Sequence, residues 1–416
     1  MKSLINLLQR ERLHRYSHLF GLICCVGVLS LSCVDRDADS PNLFDYTVGE
    51  EGEGGVSGDI QTAGISATEF DDMEVPTAGT VSFTLPTEVS VATYNVQNLF
   101  DFVNDPDHDE GEFTPNVSQW SRSTYEARIR SIASAIKLID ADLVTLQEVE
   151  SEAVLIDLTQ EIVNQGGRNY PYIAVSSTRD PRGIALGVIS IYPFSREIGR
   201  PISTAVTCQN GELLNGSRPE ARPIYEINLW SDGSGGGGGG GMQSLTLLVN
   251  HWKSRASGDF PCQVSEHHWR GASQIHDLLQ TWLDEEPQRS VIVLGDFNAV
   301  ESESSMSTIL DAYLNQAELT GSASLYNLWG ELGVTASSSN NATNSTYRYG
   351  GDWFRLDHIM VNQPLSRGGS GVWFVTDFEL IRDASLLRNG APYGWQNQNR
   401  QGVSDHLPLK VTLSLR

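Results

Sequence analysis

The chain has 416 residues, with 52 Asp and Glu against 28 Lys and Arg, a formal net charge of −24, and 39% hydrophobic residues. That length holds one large domain or two ordinary ones, and the composition is that of a soluble globular protein. The negative balance weighs against long-range attraction of a polyanion, which a cation in the site can offset locally, so nucleic acid is possible but not favoured by charge.

At the start, Lys2, Arg10, Arg12 and Arg15 precede a short apolar stretch, Leu19 to Leu31, that stops at Ser32-Cys33. This pattern predicts a secretory signal over residues 1–33, too short for a membrane span of about 20 residues. Ser32-Cys33 resembles the end of a bacterial lipobox, in which the cysteine is lipidated and becomes the mature N-terminus. Ser30 stands where that motif usually has leucine, and an ordinary cleaved signal or an uncleaved anchor is the alternative. The expected location is outside the cytoplasm, lipid-anchored through Cys33 to a bacterial membrane facing periplasm or exterior, or secreted. Residues 34–88 carry thirteen Asp or Glu against one Arg, with repeated Gly, and predict an acidic, disordered tether. Residues 89–416 are then expected to form the folded domain, itself acidic, with no stable protein partner predicted. Of the five cysteines, Cys208 and Cys262 remain outside the signal and lipobox, and either form one disulfide or stay as two thiols.

From Val91 the chain alternates strand-like runs with helical periodicity. The run Val91 to Asn98 is followed by Ile129, Ile132, Ile136 and Ile139, spaced for one face of a helix. The strand Leu143 to Glu148 precedes a second helix marked by Leu155, Leu158 and Ile162. Strands are predicted at Leu186 to Ile191, Pro223 to Trp230 and Leu245 to Asn250, the last two joined by a flexible glycine-rich loop, Ser231 to Gly241. Trp269, Ala272, Ile275, Leu279 and Trp282 mark a third helix, and further strands follow at Val291 to Leu294, Leu356 to Val361 and Leu407 to Leu413.

The chemistry sits where these runs end. An ionised carboxylate is costly inside a sheet covered on both faces unless it emerges at the strand end to meet a cation. Glu148, Asp296 and Asn298 stand at such ends, as do Asn95, His251, Asp405 and His406. Hard oxygen ligands with imidazoles beside them suit divalent-metal-dependent phosphoester hydrolysis. Other polar groups have plainer readings. Asp105, Asp107 and Asp109 imitate the start of a calcium loop, but Glu110 stands where that loop needs glycine and Asn116 where it needs its final Glu, so a solvated acidic loop is expected. His267 and His268 lack a partner one helical turn on and are expected to be solvated. Trp120, Tyr125 and Arg128 are expected to pack the first helix.

Six motifs in order, TYNVQNLFD (93–101), LQEVE (146–150), NHWKS (250–254), GDFNA (295–299), LDHIMV (356–361) and SDHLPL (404–409), resemble the endonuclease/exonuclease/phosphatase superfamily, which includes DNase I. The stretches NLFDFVNDPDHDEGEFTP and YRYGGDWFRLDHIM are most similar to its bacterial secreted branch. The resemblance implies an α/β four-layer sandwich, two face-to-face β-sheets flanked by helices, with the site at one edge. It also implies Mg²⁺, with Mn²⁺ or Ca²⁺ as alternatives, held by Glu148 with Asp405 and Asn95. Asn95 would orient the phosphate or a metal-bound water, with Gln97 nearby. Asp296 would orient or deprotonate the attacking water while Asn298 donates to a phosphate oxygen. His406, kept charged by Asp357, would donate to the phosphate, and His251 would contact it or protonate the leaving oxygen. Arg182 and Lys253 are expected substrate contacts. Ala185 departs from the polar residue that many relatives carry in that strand, which bears on substrate rather than on hydrolysis. The expected activity is a nuclease acting on DNA or RNA. The alternatives are a phosphoesterase for phospholipid head groups or phosphoinositides, and a non-catalytic binding protein on the same scaffold.

Overall fold

The structure is a computed structural model that describes residues 86–117, 119–196, 222–231, 243–255 and 261–416. The signal, Cys33, nearly all of the tether, the glycine run and Cys208 lie outside the described residues, as does the side chain of Cys262.

In chain order the strands are β1 (Glu88–Leu99), β2 (Leu143–Val149), β3 (Tyr172–Val175), β4 (Ala185–Ser190), β5 (Ser195–Arg196), β6 (Tyr225–Ser231), β7 (Gln243–His251), β8 (Ser290–Asp296), β9 (Ala312–Tyr313) and β10 (Leu325–Asn327). They continue with β11 (Tyr347–Tyr349), β12 (Asp352–Phe354), β13 (Asp357–Asn362), β14 (Trp373–Leu380), β15 (Leu387–Arg388), β16 (Ala391–Pro392) and β17 (Leu409–Leu415). One sheet runs β14-β17-β1-β2-β4-β3 and the other β5-β6-β7-β8-β13-β10-β9. Each contains a parallel pair joined through a long helix. The first is β1 and β2 through α1 (Arg122–Ile139), and the second is β7 and β8 through α3 (Pro261–Glu285).

Three apolar layers fill the spaces between four layers of secondary structure. Val91, Leu143 and Val188 of the first sheet meet Ile227, Leu247, Ile292 and Val361 of the second. Tyr94, Val144 and Leu146 turn the other way, onto Ile129, Ile132 and Ile136 of α1 and Leu155 and Leu158 of α2 (Glu152–Asn164). Leu248, Val291, Val293 and Met360 do the same toward Ala272, Ile275 and Leu279 of α3. The protein is thus an α/β four-layer sandwich, and its strands read as unbroken apolar runs because both faces of each sheet are covered. Both α1 and α2 start on a serine whose hydroxyl accepts from the third residue on: Ser121 from Thr124 and Ser151 from Val154. Such caps satisfy an amide that the helix cannot.

The third helix begins earlier than its apolar spacing suggests, and this reverses two expectations. His267 and His268 are buried, 4% and 1% exposed, rather than solvated. His268 Nε2 lies 2.8 Å from the Lys253 carbonyl, and its ring sits 5.4 Å from that of Trp252. The first turns of α3 therefore pack on the loop after β7. Trp269, expected on the inward face, is 47% exposed, and the buried face instead runs through Val264, His268 and Ala272. Trp120, Tyr125 and Arg128 are all buried around α1, with Trp120 edge-on to Phe113 and Tyr125. Ala185 lies buried in the layer beneath α2.

Parallel pairing and antiparallel return bring the chemistry to one edge. Asp357, at the start of β13, pairs with Asp296 at the end of β8, and His251 at the end of β7 pairs with Asp296 from the other side. One close approach there demands glycine. Gly295 has φ +133°, and a Cβ on it would stand 2.0 Å from the Asn250 carbonyl oxygen. Gly295→Ala is expected to part β7 from β8 and destabilise the fold by about 1–3 kcal/mol or more. An unchanged urea midpoint would contradict this.

Candidate active site

Two strands break their own alternation at the site. β1 and β2 lose register between Asn95 and Leu99, and β2 and β4 do so between Gln147 and Val149. In those bulges Gln97, Asn98 and Glu148 take left-handed backbone angles, φ 54°, 54° and 68°. A non-glycine residue held there costs on the order of 1–3 kcal/mol and persists only where the surroundings fix it. Here the fixing contact is between the two bulges: Glu148 Oε2 accepts the Asn98 amide at 2.8 Å. A fourth left-handed residue, Asn298 at φ 48°, turns the chain back after β8, so that its amide donates to Asp296 Oδ1 at 2.9 Å.

Asp296 is the hub. Its Oδ2 accepts from Asn95 Nδ2 at 2.9 Å and from Asn298 Nδ2 at 3.2 Å. Asn298 Nδ2 also reaches the Trp252 carbonyl at 3.0 Å. Burial pushes the Asp296 carboxyl up to about 7, against the opposing charge of His406. His406 Nδ1 pairs with Asp357 Oδ2 at 2.8 Å, and His406 Nε2 points toward Asp296 Oδ2 at 3.9 Å. Burial alone would lower the His406 imidazole, but the carboxylates of Asp357 and Asp296 outweigh it and hold the ring well above its ordinary value. The Tyr347 ring covers it at 4.7 Å. His251 behaves oppositely. Burial, then the charges of Arg222, Arg182 and His406, hold it well below its ordinary value and neutral. Its Nε2 stands 3.7 Å from Glu148 Oε1 and 3.6 Å from Asp296 Oδ2, beyond direct hydrogen-bond range. Two imidazoles at one edge are thus set to opposite states, one a charged donor and one neutral.

Asn95, Glu148, His251, Asp296, Asn298, Asp357 and His406, expected from the motifs, come together here. Asp405 is close by, its carboxyl pushed up by burial and by the Glu148 charge. Arg182 lies on the rim with its side chain 42% exposed, and donates to Asn98 Oδ1 at 2.9 Å and to Asp180 Oδ2. Lys253 is half-buried on the loop after β7. Gln97 accepts the Trp395 amide at 2.7 Å.

Three residues of the site escaped the sequence. Arg222 Nη2 meets Asp180 Oδ2 at 3.2 Å and its Nη1 meets the Trp252 carbonyl at 3.1 Å, so the largely buried Asp180 clamps two guanidiniums beside His251. Ser404 Oγ donates to the Asn95 carbonyl at 2.6 Å and accepts the His406 amide at 3.1 Å, which ties the loop before β17 to β1. The only available signal was the Asp-x-Arg spacing at 180–182 and the serine that opens SDHLPL.

Two acidic groupings could attract a cation. The carboxylates of Asp296 and Asp357 with His406 have ligand atoms within 4.8 Å of one another, but an imidazole kept protonated has no lone pair to give a metal. Glu148 and Asp405 fit better. They are like charges near enough to disturb each other, both offer hard oxygen donors, and Asn95 Oδ1 lies at the same strand end, where it accepts the Gln97 amide. That donor set suits Mg²⁺, which keeps several waters and takes one or two carboxylates.

The model of the endonuclease/exonuclease/phosphatase family matches residues 92–406. Among solved structures, a truncated TDP2 from Caenorhabditis elegans is similar at 16% identity and TM-score 0.41, over 79% of this chain and 97% of that one. An endonuclease/exonuclease/phosphatase protein from Bacteroides vulgatus is similar at 15% identity and TM-score 0.45, over 80% and 100%. A D. rerio TDP2 complexed with a single-strand DNA product is similar at 15% identity and TM-score 0.44, over 79% and 100%. No curated protein matches the chain.

Proposed function

The chain belongs to the endonuclease/exonuclease/phosphatase family of phosphoester hydrolases, and on that premise we propose that it is a divalent-metal-dependent nuclease that cleaves DNA or RNA by in-line attack of water. The observation that carries this is the pairing, across one sheet edge, of a raised Asp296 carboxyl with the charged His406–Asp357 dyad. Asp296 orients the attacking water and takes its proton. Asn298 and Asn95, which hold Asp296, face the same phosphate. His406 donates from Nε2 to a phosphate oxygen as negative charge accumulates, which is where fixed donors lower a barrier most. Neutral His251 donates to or accepts from the leaving side. Glu148, with Asp405 and Asn95, would hold Mg²⁺, which supplies charge neutralisation at the phosphate. Arg182 and Arg222 add positive charge beyond the hub, which favours a substrate with more than one phosphate.

The test is incubation of the protein with supercoiled plasmid, RNA, sphingomyelin vesicles and a generic phosphodiester, each with Mg²⁺ or chelator. Nicking is expected to vanish with chelator and to fall more than about 100-fold in Glu148→Ala, since loss of even an outer-shell metal partner costs 10–100-fold. Turnover of vesicles alone would make the enzyme a lipid phosphoesterase, and no turnover with any divalent metal would end the reading. Export and lipidation at Cys33 belong to the same proposal. Loss of membrane fractionation in Cys33→Ala is the expected result.

A further inference from the structure

Beneath the active site lies a buried charge that the mechanism does not use. Arg128, on α1, is fully buried, and among the described residues no ion pair reaches it. Burial lowers it only to about 10, so the charge persists at neutral pH. A buried cation is normally paired with a carboxylate, but the guanidinium of Arg128 is spent on backbone carbonyls. Nη2 donates to the Val96 carbonyl and, at 2.9 Å, to the Gln97 carbonyl, while Nη1 donates to the Val403 carbonyl. Val96 and Gln97 lie in the bulge, where β1 is paired with neither β2 nor β17, so their carbonyls need a donor from elsewhere. Val403 opens the loop that carries Ser404, Asp405 and His406. One planar fork therefore joins segments 32 and 275 residues away from it in the chain. The Trp395 ring closes over the guanidinium at 5.1 Å, and its own amide is held by Gln97.

The segments joined in this way carry or hold each group assigned to the cation. Asn95 directly precedes the bulge, and Asn98 within it donates its amide to Glu148 at 2.8 Å. Asp405 follows Val403 by two residues. On the reading of the site given above, we propose that Arg128 is a positioning residue for the cation: its guanidinium locks the β1 bulge to the loop before β17, and so sets Asn95 and Glu148 against Asp405. Lysine in its place would keep the charge but offer a compact point donor instead of a fork, and could not span both segments. Glutamine would offer fewer donors and no charge.

Arg128→Lys and Arg128→Gln in the full chain, measured beside the wild type and Tyr170→Phe, test this. Tyr170 donates to the Ala141 carbonyl at 2.7 Å, at the far end of β2 from the site, so its variant costs stability without touching the clamp. Thermal melts fix a temperature at which the variants are folded. There, Mn²⁺ affinity, read from the electron paramagnetic resonance of free Mn²⁺, is expected to fall at least about 10-fold in both Arg128 variants and to hold in Tyr170→Phe. The glutamine variant is the sharper one: removing a positive charge by itself favours a bound cation, so a loss there comes from displaced ligands. At saturating Mg²⁺, kcat for a generic phosphodiester is expected to fall about 100-fold with KM little changed. Unchanged Mn²⁺ affinity in a folded Arg128 variant overturns the proposal. So does an equal loss in Tyr170→Phe, which would trace the effect to stability, or a wild type that binds no Mn²⁺. If neither Arg128 variant folds at any temperature, Arg128 is a folding residue and the proposal fails. A wild type that binds Mn²⁺ yet turns over no phosphoester ends the nuclease reading instead, and Mn²⁺ affinity then decides the role of Arg128.

Discussion

Asp296→Asn is expected to lower kcat/KM by about 10²–10⁴-fold, the usual contribution of a positioned proton acceptor, while the protein stays folded. The carboxylate receives three donors, from the Asn95 side chain and from the Asn298 amide and side chain. The replacement keeps one oxygen for the Asn298 amide, but it turns an NH₂ toward Asn95 and can no longer take up a proton. In the wild type the burial-raised carboxyl, near 7, sets the sign of the pH response: Asp296 is protonated and idle below that value and ionised above it. The acid limb of kcat/KM should therefore rise around pH 7, far above the range of an ordinary carboxylate. Initial rates against pH, with thermal midpoints recorded alongside, check both statements. A variant that keeps more than a tenth of wild-type activity would remove Asp296 from the chemistry.

Asp357→Asn should cost a similar factor for a different reason, and the pH profile tells the two apart. Asp357 is 1% exposed, and its backbone carbonyl accepts from Trp329 Nε1 at 3.0 Å. Its Oδ2 faces His406 Nδ1, and its Oδ1 has no hydrogen-bond partner, so its charge is directed at one imidazole. A ring whose value is raised keeps its proton through neutrality and loses it as pH climbs through the shifted value. Removing the Asp357 charge lowers that value, so the alkaline limb should move toward acid, closing on the Asp296 limb and narrowing the active window. If the alkaline limb of Asp357→Asn stays where the wild type has it, the dyad is not what keeps His406 charged.

Much of this arrangement was legible because it obeys simple periods. Ile129, Ile132, Ile136 and Ile139 lie on one helix face and are all buried, and the unbroken apolar runs reported sheets covered on both sides. Asp296 and His406 were legible because a charged side chain directly beside such a run, Asp296 after one and His406 before one, has few structural uses. What escaped depends on distance or on backbone angle. Nothing local to Glu148 announces a left-handed residue, which follows from a bulge shared between β1 and β2. Arg222 meets Asp180 across 42 residues, with no motif connecting them. His267 and His268 were misjudged because helical period gives a face but not what lies opposite it, here the loop after β7. Glu110, expected in a solvated loop, is 4% exposed, because a run of acidic residues hides the one that turns inward.

The position of β17 between β14 and β1 bears on how the enzyme comes into being. Among the described residues the last strand supplies the neighbour of the first, Glu88 pairing with Ser414, and the Ser404 link to Asn95 spans 309 residues. A growing chain still short of its final segment has neither His406 nor a completed first sheet. Such long-range closure is slow and comes late in folding. The site is therefore assembled only after residues 404–415 have been made and β17 has paired with β1.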